Sequence, residues 1–150
     1  MKEIDENGRL LFDGEYLREN KWKGKTNEYD YDKLIFKGEY LDGKIWSGEG
    51  KEYDSDDNLT FEGEYINGKR NGKVKEYYGY RKFRGNYING LKNGYGKEAE
   101  FFENLYEGDF LNDKKSGKGK VYNKKDELIF EGEYLKGERN GKGKEYHNNE

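Results

Sequence analysis

Three groups of residues in this chain carry atoms that chemistry could use. Asp54, Asp56 and Asp57 lie close enough in sequence to offer oxygen ligands to a hard cation. A helix–loop–helix calcium site would need Gly at the sixth loop position and a bidentate Glu at the twelfth. Counted from Asp54, those positions hold Leu59 and Tyr65, so the aspartates read as a polar turn and no metal is expected. Gly48-Glu49-Gly50 and Gly117-Lys118-Gly119 look like phosphate-binding glycine runs, but both lack the third glycine and the following helix of a dinucleotide site. No cofactor is expected. His147, the single histidine, sits in a polar tail without the positioned partner that acid–base catalysis requires. No nucleophile, base and orienting group come together, so the sequence predicts no catalytic residue and no enzyme.

The same glycines and carboxylates recur at a fixed period, and that repetition organises the chain. An anchor glycine appears at Gly14, Gly38, Gly63, Gly85, Gly108 and Gly132, at intervals of 24, 25, 22, 23 and 24 residues. A period in this range marks a repeat architecture. Two residues before each anchor stands Phe12, Phe36, Phe61, Phe83, Tyr106 or Phe130, and two residues after it Tyr16, Tyr40, Tyr65, Tyr87, Phe110 or Tyr134. An aliphatic follows at Leu17, Leu41, Ile66, Ile88, Leu111 and Leu135. A second half-unit opens at Gly24, Gly48, Gly72, Gly94, Gly117 and Gly141, and five residues later comes Tyr29, Tyr53, Tyr77, Ala99, Tyr122 or Tyr146. The first two repeats space their two glycines by ten residues instead of nine, which predicts one extra turn residue in each.

The aromatic-x-Gly-x-aromatic stretch alternates with the strand period, and aromatic residues favour strands. Asn67-Gly68, Asn71-Gly72, Asn89-Gly90, Asn93-Gly94 and Asn140-Gly141 supply the positive φ of tight turns. Each repeat therefore reads as one β-hairpin, with one aromatic, glycine-rich face and one charged face. Pairing Tyr65 with Val74 and Tyr134 with Gly143 would lay rings over glycines. It would also set Glu64 against Lys75 and Glu133 against Lys144; a shift of two residues preserves both matches. Repeat four departs from the rule at Arg81, Asn86 and Ala99, with Phe101-Phe102 arriving late, which predicts a bulge or bend there. Residues 1–9 resemble the second half of a further repeat and predict a capping strand. The six repeats fall at about 10–32, 33–57, 58–80, 81–103, 104–126 and 127–146, before a polar tail at 147–150.

Composition bounds the partners. Charged residues make up 41% of the chain against 31% hydrophobic, so a conventional two-layer core is hard to fill. The net charge of −3 with interleaved signs gives no nucleic-acid footprint. The absence of cysteine excludes disulfides, and no apolar run reaches the roughly 18 residues of a membrane-spanning helix. Met1 to Glu6 lacks the apolar segment of a secretory signal, which points to the cytoplasm, with membrane or cytoskeletal association open. Asn58-Leu59-Thr60 matches a glycosylation acceptor by coincidence under that reading.

Taken in order, these positions resemble the MORN repeat (membrane occupation and recognition nexus) over about residues 10–146. The resemblance implies an all-β, elongated, single-layer antiparallel sheet of six stacked β-hairpins with an N-terminal capping strand. It implies a scaffold or protein-interaction module that binds a protein partner or itself. Alternatives are a peripheral module on anionic lipid and a small bacterial-type immunity or antitoxin protein. Trp22 and Trp46 are the expected partner-binding residues. They stand two residues before the second-half glycine, where Arg70, Lys92, Lys115 and Arg139 stand in the other repeats.

Overall fold

The structure is a computed structural model that describes residues 1–16, 22–79, 81–99 and 104–147, with the side chains of Tyr16 and Trp22 outside the description. Leu17 and the Phe101-Phe102 pair also lie outside the described residues. Thirteen strands follow one another, hydrogen-bonded in chain order, with no helix among the described residues. They are β1 (Lys2–Ile4), β2 (Leu10–Tyr16), β3 (Trp22–Asp30), β4 (Lys33–Leu41), β5 (Lys44–Tyr53), β6 (Leu59–Ile66), β7 (Lys69–Tyr78), β8 (Arg81–Ile88), β9 (Leu91–Ala99), β10 (Leu105–Leu111), β11 (Lys114–Tyr122), β12 (Leu128–Leu135) and β13 (Glu138–Glu145). Contacts divide the chain into two compact units, Met1–Gly72 and Lys73–Glu150.

In the first unit, β1 pairs with β2 as the expected capping strand. Anchor glycines pair directly with second-half glycines, Gly14 with Gly24 and Gly38 with Gly48. In the second unit the anchor meets the later glycine of each pair: Gly85 with Gly96, Gly108 with Gly119, Gly132 with Gly143. The extra spacing of repeat two is not a longer turn. Its turn is the pair Asp42-Gly43 between Leu41 and Lys44, the same size as Asn89-Gly90 and Lys136-Gly137. The difference lies in a bulge, at Trp46 in repeat two and around Gly94, Gly117 and Gly141 in the later repeats. Bulges add residues to one strand only and leave the turn unchanged.

This corrects the expected register. Gly143 faces Gly132, Tyr134 faces Arg139, and Lys144 faces Glu131 in place of Glu133. The basic slots thus meet the acid just before the anchor glycine, as in the Lys51–Glu62 and Lys97–Glu107 ion pairs at 3.5 and 3.1 Å. The acid after the anchor leans over the bulge: the Glu133 carboxylate accepts the Lys142 backbone N–H at 3.0 Å. A Cβ at Gly141 would come within 2.0 Å of that carboxylate, and one at Gly72 within 2.4 Å of Glu64. Asn71-Gly72, Asn93-Gly94 and Asn140-Gly141 accordingly sit inside strands, not in turns.

Repeat four is less irregular than its sequence suggests. Its hairpin bulge is shared with repeats five and six. Its joint to repeat five, Ala99 with Leu105 through Gly94 with Phe110, runs without a shift. The joints at Glu28/Tyr29, Glu52/Tyr53 and Val121/Tyr122 each carry one.

Candidate interaction surface

The repeat-defining rings are buried without a second layer of structure. Phe12, Phe36, Phe61, Phe83, Tyr106 and Phe130 are all buried, as are Tyr87, Phe110 and Tyr134; Tyr40 and Tyr65 are half-buried. Phe12, Phe83, Tyr106 and Phe130 each fold over their own anchor glycine and the glycine opposite, and Phe36 over its anchor Gly38. A Cβ at Gly132 or Gly143 would come within 2.6 or 2.8 Å of the Phe130 ring. Rings then meet edge-to-face along the repeats. In the first unit Phe36 contacts Tyr40 at 5.6 Å and Tyr65 of the next repeat at 6.2 Å. In the second, Phe83 contacts Tyr87 and Phe110, and Tyr106 contacts Phe110 and Tyr134, at 5.1–5.9 Å between centroids. Such pairs add about 0.5–1.5 kcal/mol each beyond burial.

A row of cations roofs these rings. Arg70 lies 4.0 Å over Phe61, Lys92 4.3 Å over Phe83, Lys115 4.8 Å over Tyr106 and Arg139 3.8 Å over Phe130. Their charge is balanced by Glu52, Glu98 and Glu145, which belong to an acid row that the sequence reading missed: Glu28, Glu52, Glu76, Glu98 and Glu145, one residue before the second-half Tyr or Ala99. Glu52 accepts hydrogen bonds from Tyr65 Oη at 2.5 Å and from Arg70 Nη2 at 2.6 Å. Glu98 accepts from Lys92 at 2.6 Å and lies 3.9 Å from Lys115; Glu145 accepts from Arg139 at 2.9 Å. Val121 breaks the row in repeat five. The recurrence of Glu before Tyr was the available signal.

Three tyrosine hydroxyls on this face, those of Tyr40, Tyr65 and Tyr106, hold their protons tightly. Burial, then the hydrogen bond to Glu28 or Glu52, pushes Tyr40 and Tyr65 well above the ordinary range; burial and the neighbouring Tyr134 do so for Tyr106. A proton held more tightly in the fold stabilises it below the ordinary tyrosine pKa of about 10 and is lost as pH rises beyond it. Absorbance at 295 nm and circular dichroism, followed together up to pH 12.5, are expected to show these three tyrosines ionising only as the sheet unfolds. Complete tyrosine ionisation with intact β-signal would contradict the burial.

The loops take up the remaining chemistry. Asp54 accepts the backbone N–H groups of Asp56 and Asn58 at 3.0 and 2.9 Å, so its carboxylate organises the turn. The hydrogen bond from Asn58 holds its pKa below the usual carboxylate value.

Several exposed apolar groups lie at the hairpin ends, while Tyr31, Leu34, Tyr78 and Tyr95 are exposed elsewhere on the strands and links. Trp46 is 41% exposed, and Ile66, Ile88, Leu111 and Leu135 are 46, 55, 59 and 54% exposed. Trp46 lines an open groove with Leu41, Ile45 and Lys69. Across its hairpin it is Ile45, not Trp46, that faces Tyr40. Toward the next repeat, the Trp46 carbonyl accepts the Gly68 N–H at 3.0 Å, as the Lys92 and Lys115 carbonyls accept from Asp113 and Gly137. Trp46 therefore keeps the cation's place relative to the following repeat, on a bulge. Trp22 differs: its backbone pairs directly with Tyr16. The structure thus does not bring the two tryptophans into equivalent positions.

No helix among the described residues is long and apolar enough to cross a membrane. No curated protein matches the chain. The MORN repeat profile matches residues 61–78, 83–99, 106–123 and 130–149. Such repeats mark a module for protein interaction or membrane association. Each match begins at a first ring, Phe61, Phe83, Tyr106 or Phe130, so that ring, glycine and cation positions coincide with the repeat, and the chain is a MORN-repeat protein.

Proposed function

We propose that this chain is a non-enzymatic cytoplasmic scaffold whose hairpin ends bind a protein, with Trp46 as the anchor. One observation carries the reading. The ring face is already closed by its own arginines, lysines and glutamates, while Trp46 stands 41% exposed beside Leu41 and Ile45. Tryptophan at the centre of such a patch is the usual form of a binding hot spot. Lys51, Lys97, Lys118, Lys120 and Lys144 each face an acid across the sheet, which interleaves the two signs of charge and disfavours a site for anionic headgroups on these strands.

The test replaces Trp46 with Lys, alone and with Trp22→Lys, and compares protein capture from a lysate with the parent chain. The variant is expected to unfold within about 0.5 kcal/mol of the parent and to lose the captured protein. Retention of every partner by a normally folded double variant would remove the tryptophans from the interface. Sedimentation with vesicles of phosphatidylserine and phosphatidylcholine, at a level the Trp46→Lys change does not alter, would favour the membrane reading instead.

A further inference from the structure

β1 and β13 are the first and last strands of the sheet order, and β1 pairs with the outer edge of β2. At every described joint but one, a second-half strand meets the next first strand in one register. Between β11 and β12 that register is Gly117–Tyr134, Lys118–Glu133, Gly119–Gly132, Lys120–Glu131, Val121–Phe130 and Tyr122–Leu128, with a shift at the last step. β1 copies only the end of it: Lys2–Asp13, Glu3–Phe12 and Ile4–Leu10, with the same shift. Met1 and Gly14 exchange backbone hydrogen bonds beyond that, where the strand stops. β1 is three residues long against seven in β2.

β13 holds the whole motif. Gly141-Lys142-Gly143-Lys144-Glu145-Tyr146 matches Gly117 to Tyr122 residue for residue except that Glu replaces Val, and Lys144-Glu145-Tyr146 is a counterpart of Lys2-Glu3-Ile4. All eight residues of β13 are exposed, and its outer edge pairs with no strand among the described residues. Set against β2 in the joint register, Lys142 would face Glu15, Gly143 would face Gly14, and Lys144 would face Asp13. Opposite charges meet at both ionic positions and glycine meets glycine between them, as within the repeats.

We propose that the outer edge of β2 is a docking site for β13 of a second copy of this chain, which displaces β1 and supplies a full-length joint strand. The proposal rests on the protein-interaction reading and adds the occupant, the strands and the register. The contact is heterologous, because the two surfaces differ, so each joined pair leaves one β13 and one β2 still open to others. β1 acts as a tethered competitor that holds the free copy closed at low concentration.

The chain contains no cysteine, so introduced thiols report alone. Glu15→Cys and Lys142→Cys are each made singly in the full chain, mixed in equal amounts and treated with a short bismaleimide. The expected result is a covalent dimer from the mixture, none from either variant alone, and none when Glu15→Cys is mixed with Lys118→Cys, an exposed lysine of interior strand β11. Removal of residues 1–4 is expected to raise the yield about tenfold, since a tethered competitor is lost. A dimer from Lys142→Cys alone would mean β13 pairs with β13 and overturns the proposal. No cross-link in the mixture, while sedimentation velocity shows the parent chain self-associating, overturns it and leaves the interaction reading in place. A chain that stays monomeric at all concentrations overturns it as well, and the Trp46→Lys comparison then decides the interaction reading on its own.

Discussion

Phe61→Ala is expected to destabilise the fold by about 3–5 kcal/mol, the range for deleting a buried aromatic ring. The ring is 0% exposed, meets Tyr65 edge-to-face at 5.6 Å and lies under Arg70 at 4.0 Å. Removing it opens a cavity in a single-layer fold and takes away the surface on which Arg70 rests. Arg70 keeps its carboxylate partner Glu52, so the loss is one of packing and not of an ion pair. Phe61→Leu fills most of the space and removes the ring contacts alone, the cation contact worth about 0.5–1 kcal/mol at exposed sites and the edge contact with Tyr65 about 0.5–1.5 kcal/mol. Lys69→Ala in the adjacent turn region, exposed, is expected to stay within about 0.5 kcal/mol. Urea unfolding followed by far-ultraviolet circular dichroism checks all three. Phe61→Ala and Lys69→Ala with equal midpoints would mean that the ring ladder does not hold the repeats together.

The comparison of sequence and structure turns on what a period can specify. Period-two alternation of rings around each anchor glycine was enough to place the hairpin strands and the buried face, and the likeness of residues 1–9 to a second half-unit placed the capping strand β1. The register was not legible. Moving the pairing by two residues keeps every ring on its face and every acid near a lysine, so sequence alone left Glu133 and Glu131 as rivals for Lys144. The bulge around Gly141 decides between them: it draws the Glu133 carboxylate onto the Lys142 N–H and leaves Glu131 across from Lys144. This bulge is written in the chain as Asn-Gly, the same dipeptide that writes a turn, which is why Asn140-Gly141 read as one. The roof of the ring face was hidden for a different reason. Arg70 and Glu52 lie 18 residues apart in different repeats, and only the joint between β5 and β6 brings that acid beside Tyr65. Trp46 was visible as a break in the cation row, but its bulge, and its difference from Trp22, were not.

Gly119→Ala is expected to destabilise by about 1–3 kcal/mol, the usual cost of an overpacked core, although local propensity predicts the opposite. Gly119 does not hold a left-handed backbone angle. At such a site replacing Gly by Ala ordinarily stabilises by about 0.4–1 kcal/mol, because the unfolded chain loses freedom. The sign is reversed here by Tyr106. A Cβ at position 119 would come within 2.4 Å of Tyr106 Cε2 and 2.7 Å of its Oη. The ring has no room to retreat: it is 2% exposed and held by Phe110 at 5.3 Å and Tyr134 at 5.1 Å, with its hydroxyl donating to the Asp109 carbonyl at 3.0 Å. A double-mutant cycle separates the clash from any backbone effect. In the Tyr106→Ala background the three atoms nearest the added methyl group are gone, so Gly119→Ala is expected to become neutral or stabilising there. The same cost with and without the Tyr106 ring would show that the glycine serves the backbone, and that rings lying over paired glycines are not what selects glycine in these strands.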